Sequence, residues 1–166
     1  MDYSATVREN VLFGVDAATG DPDIWKYLET FGIAGKIRAH KLGLDAILGD
    51  DIEFSGGEKQ ILAFIRILLQ DRPVVILDEG TNQLDAENEL LVMSELLKRK
   101  DEKIIIFITH RMSTVSRADS IHCIENGTVS ASGTHSALLK DGKNPYARFY
   151  RAQILHREEG DSDGSR

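Results

Sequence analysis

The strongest constraint on this chain is a pair of short apolar runs, each ending in residues with chemistry to offer. Val74-Val75-Ile76-Leu77 runs into Asp78-Glu79, and Ile104–Ile108 runs into Thr109-His110. Continuous runs rich in β-branched residues read as strands buried on both faces of a sheet. Between them Asp85 stands as an N-cap, followed by a helical pattern that turns Leu90, Met93, Leu96 and Leu97 inward. Glu87 and Glu89 fall in its first turns and Lys98, Arg99 and Lys100 at its end, as the helix dipole favours. Strand, helix, strand at this spacing is a βαβ unit with parallel pairing. Its carboxyl edge would gather Asp78, Glu79 and His110, and that edge is where open α/β sheets place their sites.

The sequence before this unit reads differently. From about Asp21 to Gln70 it is mostly helical, with Asp21 as N-cap, Pro22 at the first helical position and Gly32 as a C-cap. Ile24, Trp25, Leu28 and Phe31 recur at helical spacing. A second helix begins at Ser55 with the stripe Ile61, Phe64, Ile65, Leu68 and Leu69, leaving Lys59 and Arg66 off that face. After the βαβ unit, Ile121–Glu125, Asn126-Gly127 and Thr128–Ala131 form a hairpin on a type I′ turn. Helical patterns follow at Ser136–Leu139 and Pro145–His156, and the polar residues 157–166 are expected to be disordered.

Composition narrows the function classes. Twenty Lys and Arg face 27 Asp and Glu, for a formal net charge of −7. An acidic balance argues against a chain that works by coating nucleic acid or an anionic membrane. The single Cys123 excludes a disulfide framework within the chain and fits a reducing compartment. No apolar run approaches the length that spans a bilayer, so any membrane association is expected through a partner, with the chain itself soluble.

Four local features carry the chemistry. Phe54-Ser55-Gly56-Gly57-Glu58-Lys59-Gln60 opens a helix, and Ser55 with Glu58 three residues on makes a capping box. Each glycine in that first turn costs roughly 1 kcal/mol relative to alanine, so something should require both. Their missing side chains would let a phosphate approach the amides at a helix N-terminus. Asp78-Glu79 supports a division of labour, with Asp78 holding Mg²⁺ through water and Glu79 activating an attacking water. His110, past the next strand, would donate a hydrogen bond to a terminal phosphate. Asn82-Gln83-Leu84-Asp85 is by itself no more than a turn and an N-cap.

In this order, the four resemble the ATPase domain of ATP-binding-cassette (ABC) transporters. The segment 54–60 is similar to the family's signature motif, Val74–Glu79 to Walker B, Leu84-Asp85 to the D-loop and His110 to the switch histidine. His110-Arg111-Met112-Ser113-Thr114-Val115, Ala118-Asp119, Asn126-Gly127 and Gly133-Thr134-His135 resemble the exporter branch, as does the early stretch Thr6–Gly14. The resemblance covers about Ser4 to Tyr150 and implies an α/β P-loop NTPase fold with a helical subdomain and a mainly parallel sheet. Its implied limits are a partial ATPase domain over 1–156, helical over about 15–70 and α/β over about 71–156. It also implies ATP and Mg²⁺ as cofactors, a second nucleotide-binding domain and a transmembrane domain as partners, and a place on the cytoplasmic face of a membrane. By the same resemblance Ser55, Gly56, Gly57 and Glu58 would meet a γ-phosphate across the dimer. Asp78 would support Mg²⁺, Glu79 would be the general base, His110 would sense the γ-phosphate, and Asp85 would couple the two sites.

Departures from the family pattern matter. A Walker A loop needs Gly-x-x-x-x-Gly-Lys followed by Ser or Thr. The two Gly-Lys pairs, Gly35-Lys36 and Gly142-Lys143, are followed by Ile37 and Asn144, and neither has the earlier glycine. The chain therefore reads as the part of a nucleotide-binding domain that follows the Q-loop. Alone, it is expected to be marginally stable and to bind Mg-ATP weakly. Phe54 replaces the usual Leu, Glu58 the commoner Gln, and Asn82-Gln83 is unusual in the D-loop. A second reading is a non-catalytic module that presents the signature to a complete partner subunit. A third, a chromosome-maintenance ATPase lobe, is disfavoured because no heptad run precedes Ser4.

Overall fold

The computed structural model describes residues 4–162, and side chains as far as residue 153. The chain divides into two units, Met1–Ile108 and Thr109–Arg166.

The first unit begins with three short helices, α1 (Val7–Leu12), α2 (Asp21–Thr30) and α3 (Ala34–Ala39). Thr6 and Glu9 form a capping box at α1. At α2 the cap is Gly20, one residue earlier than expected, because its extended backbone lets its amide donate to Asp23 Oδ2 at 3.1 Å. Asp21 is already helical and pairs with Arg8 instead. Gly32, at φ +71°, ends this helix in the left-handed conformation that a C-terminal glycine permits. The long helix α4 (Gly56–Gln70) packs against α1 and α2. It buries Ile61, Leu62, Phe64, Ile65 and Leu68, close to the expected stripe, and Leu69 is partly buried.

Strand β1 (Val74–Asp78), helix α5 (Ala86–Leu97) and strand β2 (Ile104–Ile108) complete the unit, with β1 and β2 parallel and in register from Val74↔Ile104 to Asp78↔Ile108. The βαβ expectation is met in its pairing and corrected in its burial. Val75 and Leu77 are buried, and Ile105 and Phe107 pack against the same core. The opposite face leaves Val74, Ile76, Ile104, Ile106 and Ile108 exposed, at 43–62%. A single crossover helix covers only one face of its sheet, so alternate residues of both strands stay in solvent. Helix α5 differs in detail too. Glu89, Val92, Met93 and Leu96 form its buried stripe, and Leu90 is 46% exposed. The helices before Gln70 and the βαβ element share one continuous core.

The second unit holds α6 (Met112–Val115), the antiparallel hairpin β3 (Ile121–Glu125) and β4 (Thr128–Gly133), then α7 (His135–Lys140) and α8 (Pro145–Ser162). Asn126 and Gly127 both have positive φ, as a type I′ turn requires. A small core of Ile121, Leu138 and Tyr146 holds this unit together. Asn144 caps α8, accepting from the Ala147 amide at 2.8 Å and donating to the Leu138 carbonyl. Helix α8 is assigned as far as Ser162. Arg and Glu are good helix formers, so a polar segment can extend an existing helix. Residues 163–166 lie outside the described part. Among the described residues, no helix is long and apolar enough to cross a membrane.

Candidate functional site

In the first unit the start of α4 meets the loop that leaves β1. Ser55 caps α4 in an extended conformation, its Oγ accepting from the Glu58 amide at 3.2 Å. Glu58 returns the interaction, Oε2 accepting from the Ser55 amide at 2.7 Å. The capping box is therefore closed. Gly56 and Gly57 are left as the first two helical amides, the donors a helix start offers to an outside acceptor.

Packing bears on the two glycines unequally, since the neighbour of Gly56 is the movable end of a side chain and that of Gly57 is backbone. A Cβ at Gly56 would lie 2.8 Å from Gln83 Oε1, and one at Gly57 would lie 3.1 Å from the Gln83 carbonyl oxygen. The loop between β1 and α5 thus presses on the helix start, and Gln60 Oε1 accepts from the Gln83 amide at 3.1 Å to hold it there. Gln83 was unremarkable in sequence, and only its unusual place in the D-loop pattern pointed to it.

That loop begins with strain. Glu79 has φ +46°, a left-handed conformation that costs a non-glycine residue on the order of 1–3 kcal/mol and persists only when its surroundings enforce it. Here the Glu79 amide donates to the Ile108 carbonyl at 2.8 Å, and the Asn82 amide donates to the Glu79 carbonyl at 3.2 Å. Asn82 Nδ2 donates to Glu79 Oε2 at 2.8 Å, fixing the carboxylate. Asp78 is the last residue of β1 and is exposed beside it. Asp85 closes the loop as the N-cap of α5, its carboxylate accepting from the Asn88 amide at 2.8 Å.

Gln83 lines two open depressions of about 520 and 540 Å³. Gly56, Lys59, Gln60, Arg66, Glu79 and Asn82 line the first. Ser55, Gly57, Glu58, Asp85 and Asn88 line the second, so seven of the eight residues picked out in the sequence come together in this unit, with Asp78 adjoining Glu79. The eighth, His110, is exposed in the second unit, where its carbonyl accepts from Gln153 Nε2 at 3.2 Å.

Burial pushes the Glu58 carboxyl up, but the Lys36 ammonium and the Ser55 amide together outweigh it and hold the group below the usual glutamate range. Among the described residues, no group of three or more His, Cys, Asp or Glu side chains is arranged to hold a metal ion. Mg²⁺ that travels with a nucleotide needs only one or two carboxylates beside the phosphates, and the adjacent Asp78 and Glu79 fit that donor set. Neither Gly-Lys pair forms a phosphate loop after a strand. Gly35-Lys36 lies inside α3, and Gly142-Lys143 lies in the turn between α7 and α8.

Comparison with known proteins points the same way as the residues. A family profile described as ABC transporter matches residues 1–82. ABC transporter B family member 21 of Arabidopsis thaliana is 34% identical over 161 residues, covering 96% of this chain and 12% of the relative. The ATP-dependent lipid A-core flippase of Vibrio vulnificus is 36% identical over 154 residues, covering 92% and 26%. The mesentericin-Y105 transport/processing ATP-binding protein MesD of Leuconostoc mesenteroides is 37% identical, covering 93% and 20%. The chain thus spans about an eighth to a quarter of the length of these relatives. A bacterial Atm1-family ABC exporter solved with ATP bound superimposes with a TM-score of 0.80 at 27% identity, over 92% of this chain and 27% of that one. On these grounds the chain belongs to the ABC transporter family, corresponding to part of the ATP-binding region of its exporters.

Proposed function

We propose that this chain supplies the signature, hydrolysis and switch residues of an ABC exporter's ATPase. The carrying observation is that one helix start, Ser55–Glu58, and one strand-end loop, Asp78–Asp85, meet around Gln83. In this reading Ser55, Gly56 and Gly57 face the γ-phosphate of an ATP held by a second nucleotide-binding domain. Glu58 serves from within the capping box. Glu79, fixed by Asn82, accepts a proton from the attacking water, and Asp78 supports Mg²⁺, which when bound neutralises charge on the phosphates. His110 offers a hydrogen bond to the γ-phosphate, and Asp85, at the α5 cap, ties the loop to the facing site. The energy would move a transmembrane partner from the cytoplasmic face of a membrane. Transported substrate and choice of partner belong to that larger assembly.

A second reading keeps the binding role and drops the chemistry: the chain presents its helix start to a partner that hydrolyses ATP. Both Gly-Lys pairs of this chain lie outside any strand-loop-helix. One experiment separates the two. The chain is mixed with a nucleotide-binding domain that has an intact Walker A, and Mg-ATP hydrolysis is measured. Ser55→Arg is expected to abolish stimulation under either reading. Glu79→Gln is expected to lower it by roughly a hundredfold or more under the catalytic reading, as for loss of a general base, and to leave it unchanged under the second. Stimulation unaffected by Ser55→Arg would sink both.

A further inference from the structure

Two departures from the family wording, Phe54 for Leu and Glu58 for Gln, meet at the side chain of Lys36. Lys36, on α3, reaches across to the start of α4. Its Nζ donates to Glu58 Oε2 at 2.8 Å and to Oε1 at 3.1 Å. The same ammonium lies 4.8 Å from the centroid of the Phe54 ring, within cation–π range. Glu58 Oε2 is also the atom that accepts from the Ser55 amide at 2.7 Å. One oxygen is therefore shared between the capping box and the lysine.

The electrostatic consequence is direct. A carboxylate in the first turn complements the helix dipole, but it also repels any anion brought to the same helix start. A glutamine at position 58 would cap without adding charge. Glutamate keeps the cap and adds a negative charge beside the amides of Gly56 and Gly57. Lys36 offsets that charge at contact distance and pins the carboxylate back onto the Ser55 amide. Phe54 is 6% exposed and gives the ammonium a fixed apolar face to rest on.

We infer that Lys36 is a positioning residue for the nucleotide-facing helix start, neutralising Glu58 and holding it in the Ser55 cap so that a phosphate can approach. Phe54, Glu58 and Lys36 act as one unit, a lysine-compensated variant of the signature. The inference rests on the functional reading above, since it assigns Lys36 a role toward the phosphate that Ser55 faces. It links a helix of the helical region to that site through a single ion pair.

The test uses the full chain with a partner domain carrying an intact Walker A, and reads hydrolysis against Mg-ATP concentration. Lys36→Met is expected to raise the apparent KM for Mg-ATP roughly twofold to fivefold with kcat nearly unchanged, the scale of one partly exposed ion pair. Lys36→Arg should restore most of the loss. In a Glu58→Gln background, Lys36→Met should no longer matter, because no charge remains to be offset. A merely structural lysine would lower activity equally in both backgrounds, and that outcome overturns the inference, as does an unchanged KM in Lys36→Met. If Ser55→Arg leaves stimulation intact, the functional reading itself falls and the inference with it, a result distinct from failure at Lys36 alone. Circular dichroism of each variant separates loss of fold from loss of nucleotide contact.

Discussion

Helix α4 and strand β1 follow one another with only three residues between them, yet they meet opposite fates. The helix puts its apolar stripe inside and closes its own start with a capping box. The strand is just as apolar, but Val74 and Ile76, with Ile104, Ile106 and Ile108 on β2, end in solvent. A helix sorts its residues by angle, so an amphipathic stripe needs one partner surface. A parallel strand of uniform apolarity needs a cover on each face, and one crossover helix supplies only one.

The largest expected effect lies on the helix side. Leu62→Ala or Ile65→Ala, both fully buried, should cost about 2–5 kcal/mol in urea unfolding. Ile76→Thr, at 60% exposed, should change stability by no more than about 0.5 kcal/mol. Equal losses at the two sites would break the comparison. Self-association offers a sharper probe of the exposed sheet face. The chain is expected to gain mass with concentration in sedimentation, and Ile76→Lys with Ile106→Lys to lower that gain, since contiguous exposed apolar residues favour association.

Smaller effects concern the caps and the strained loop. Ser55→Ala should lose about 1 kcal/mol from the α4 cap, read from the same unfolding curves. Glu79→Gly should gain up to about 1 kcal/mol by relieving the positive φ while removing the proposed base, a stability gain coupled to loss of hydrolysis. A net destabilisation would mean that the Asn82 contact outweighs the strain. The pH dependence carries a definite sign. The Glu58 carboxyl titrates lower in the folded chain than in the unfolded one. Its contribution to stability is therefore complete above the ordinary glutamate range and is lost as pH falls through the depressed folded value. Glu58→Gln should flatten that acid limb. The smallest effect is on Cys123. Burial pushes its thiol up, so alkylation at neutral pH should be slower than for an unfolded control.

Much of the site was legible before any coordinates. Ser55 and Glu58 announced their cap by spacing, Asp85 announced the next one, and Asn126-Gly127 announced the hairpin, because each depends on residues within four positions of one another. What pressed on Gly56 and Gly57 was not legible. Gln83 lies 26 residues beyond Gly57, and nothing local marks the approach of its carbonyl. The Lys36 contact was equally hidden, since it joins residues 22 positions apart on different helices.

By itself, then, the sequence determined the longer elements, the caps at Ser55 and Asp85, the parallel βαβ pairing and the family pattern, all of which rest on short-range periodicity and backbone sterics. Only the tertiary structure decided which faces of the strands are covered, how closely Gln83 approaches the start of α4, and which cation answers Glu58. Those outcomes depend on which surfaces meet when distant segments pack, and steric contact and charge pairing across that distance leave no period in the chain.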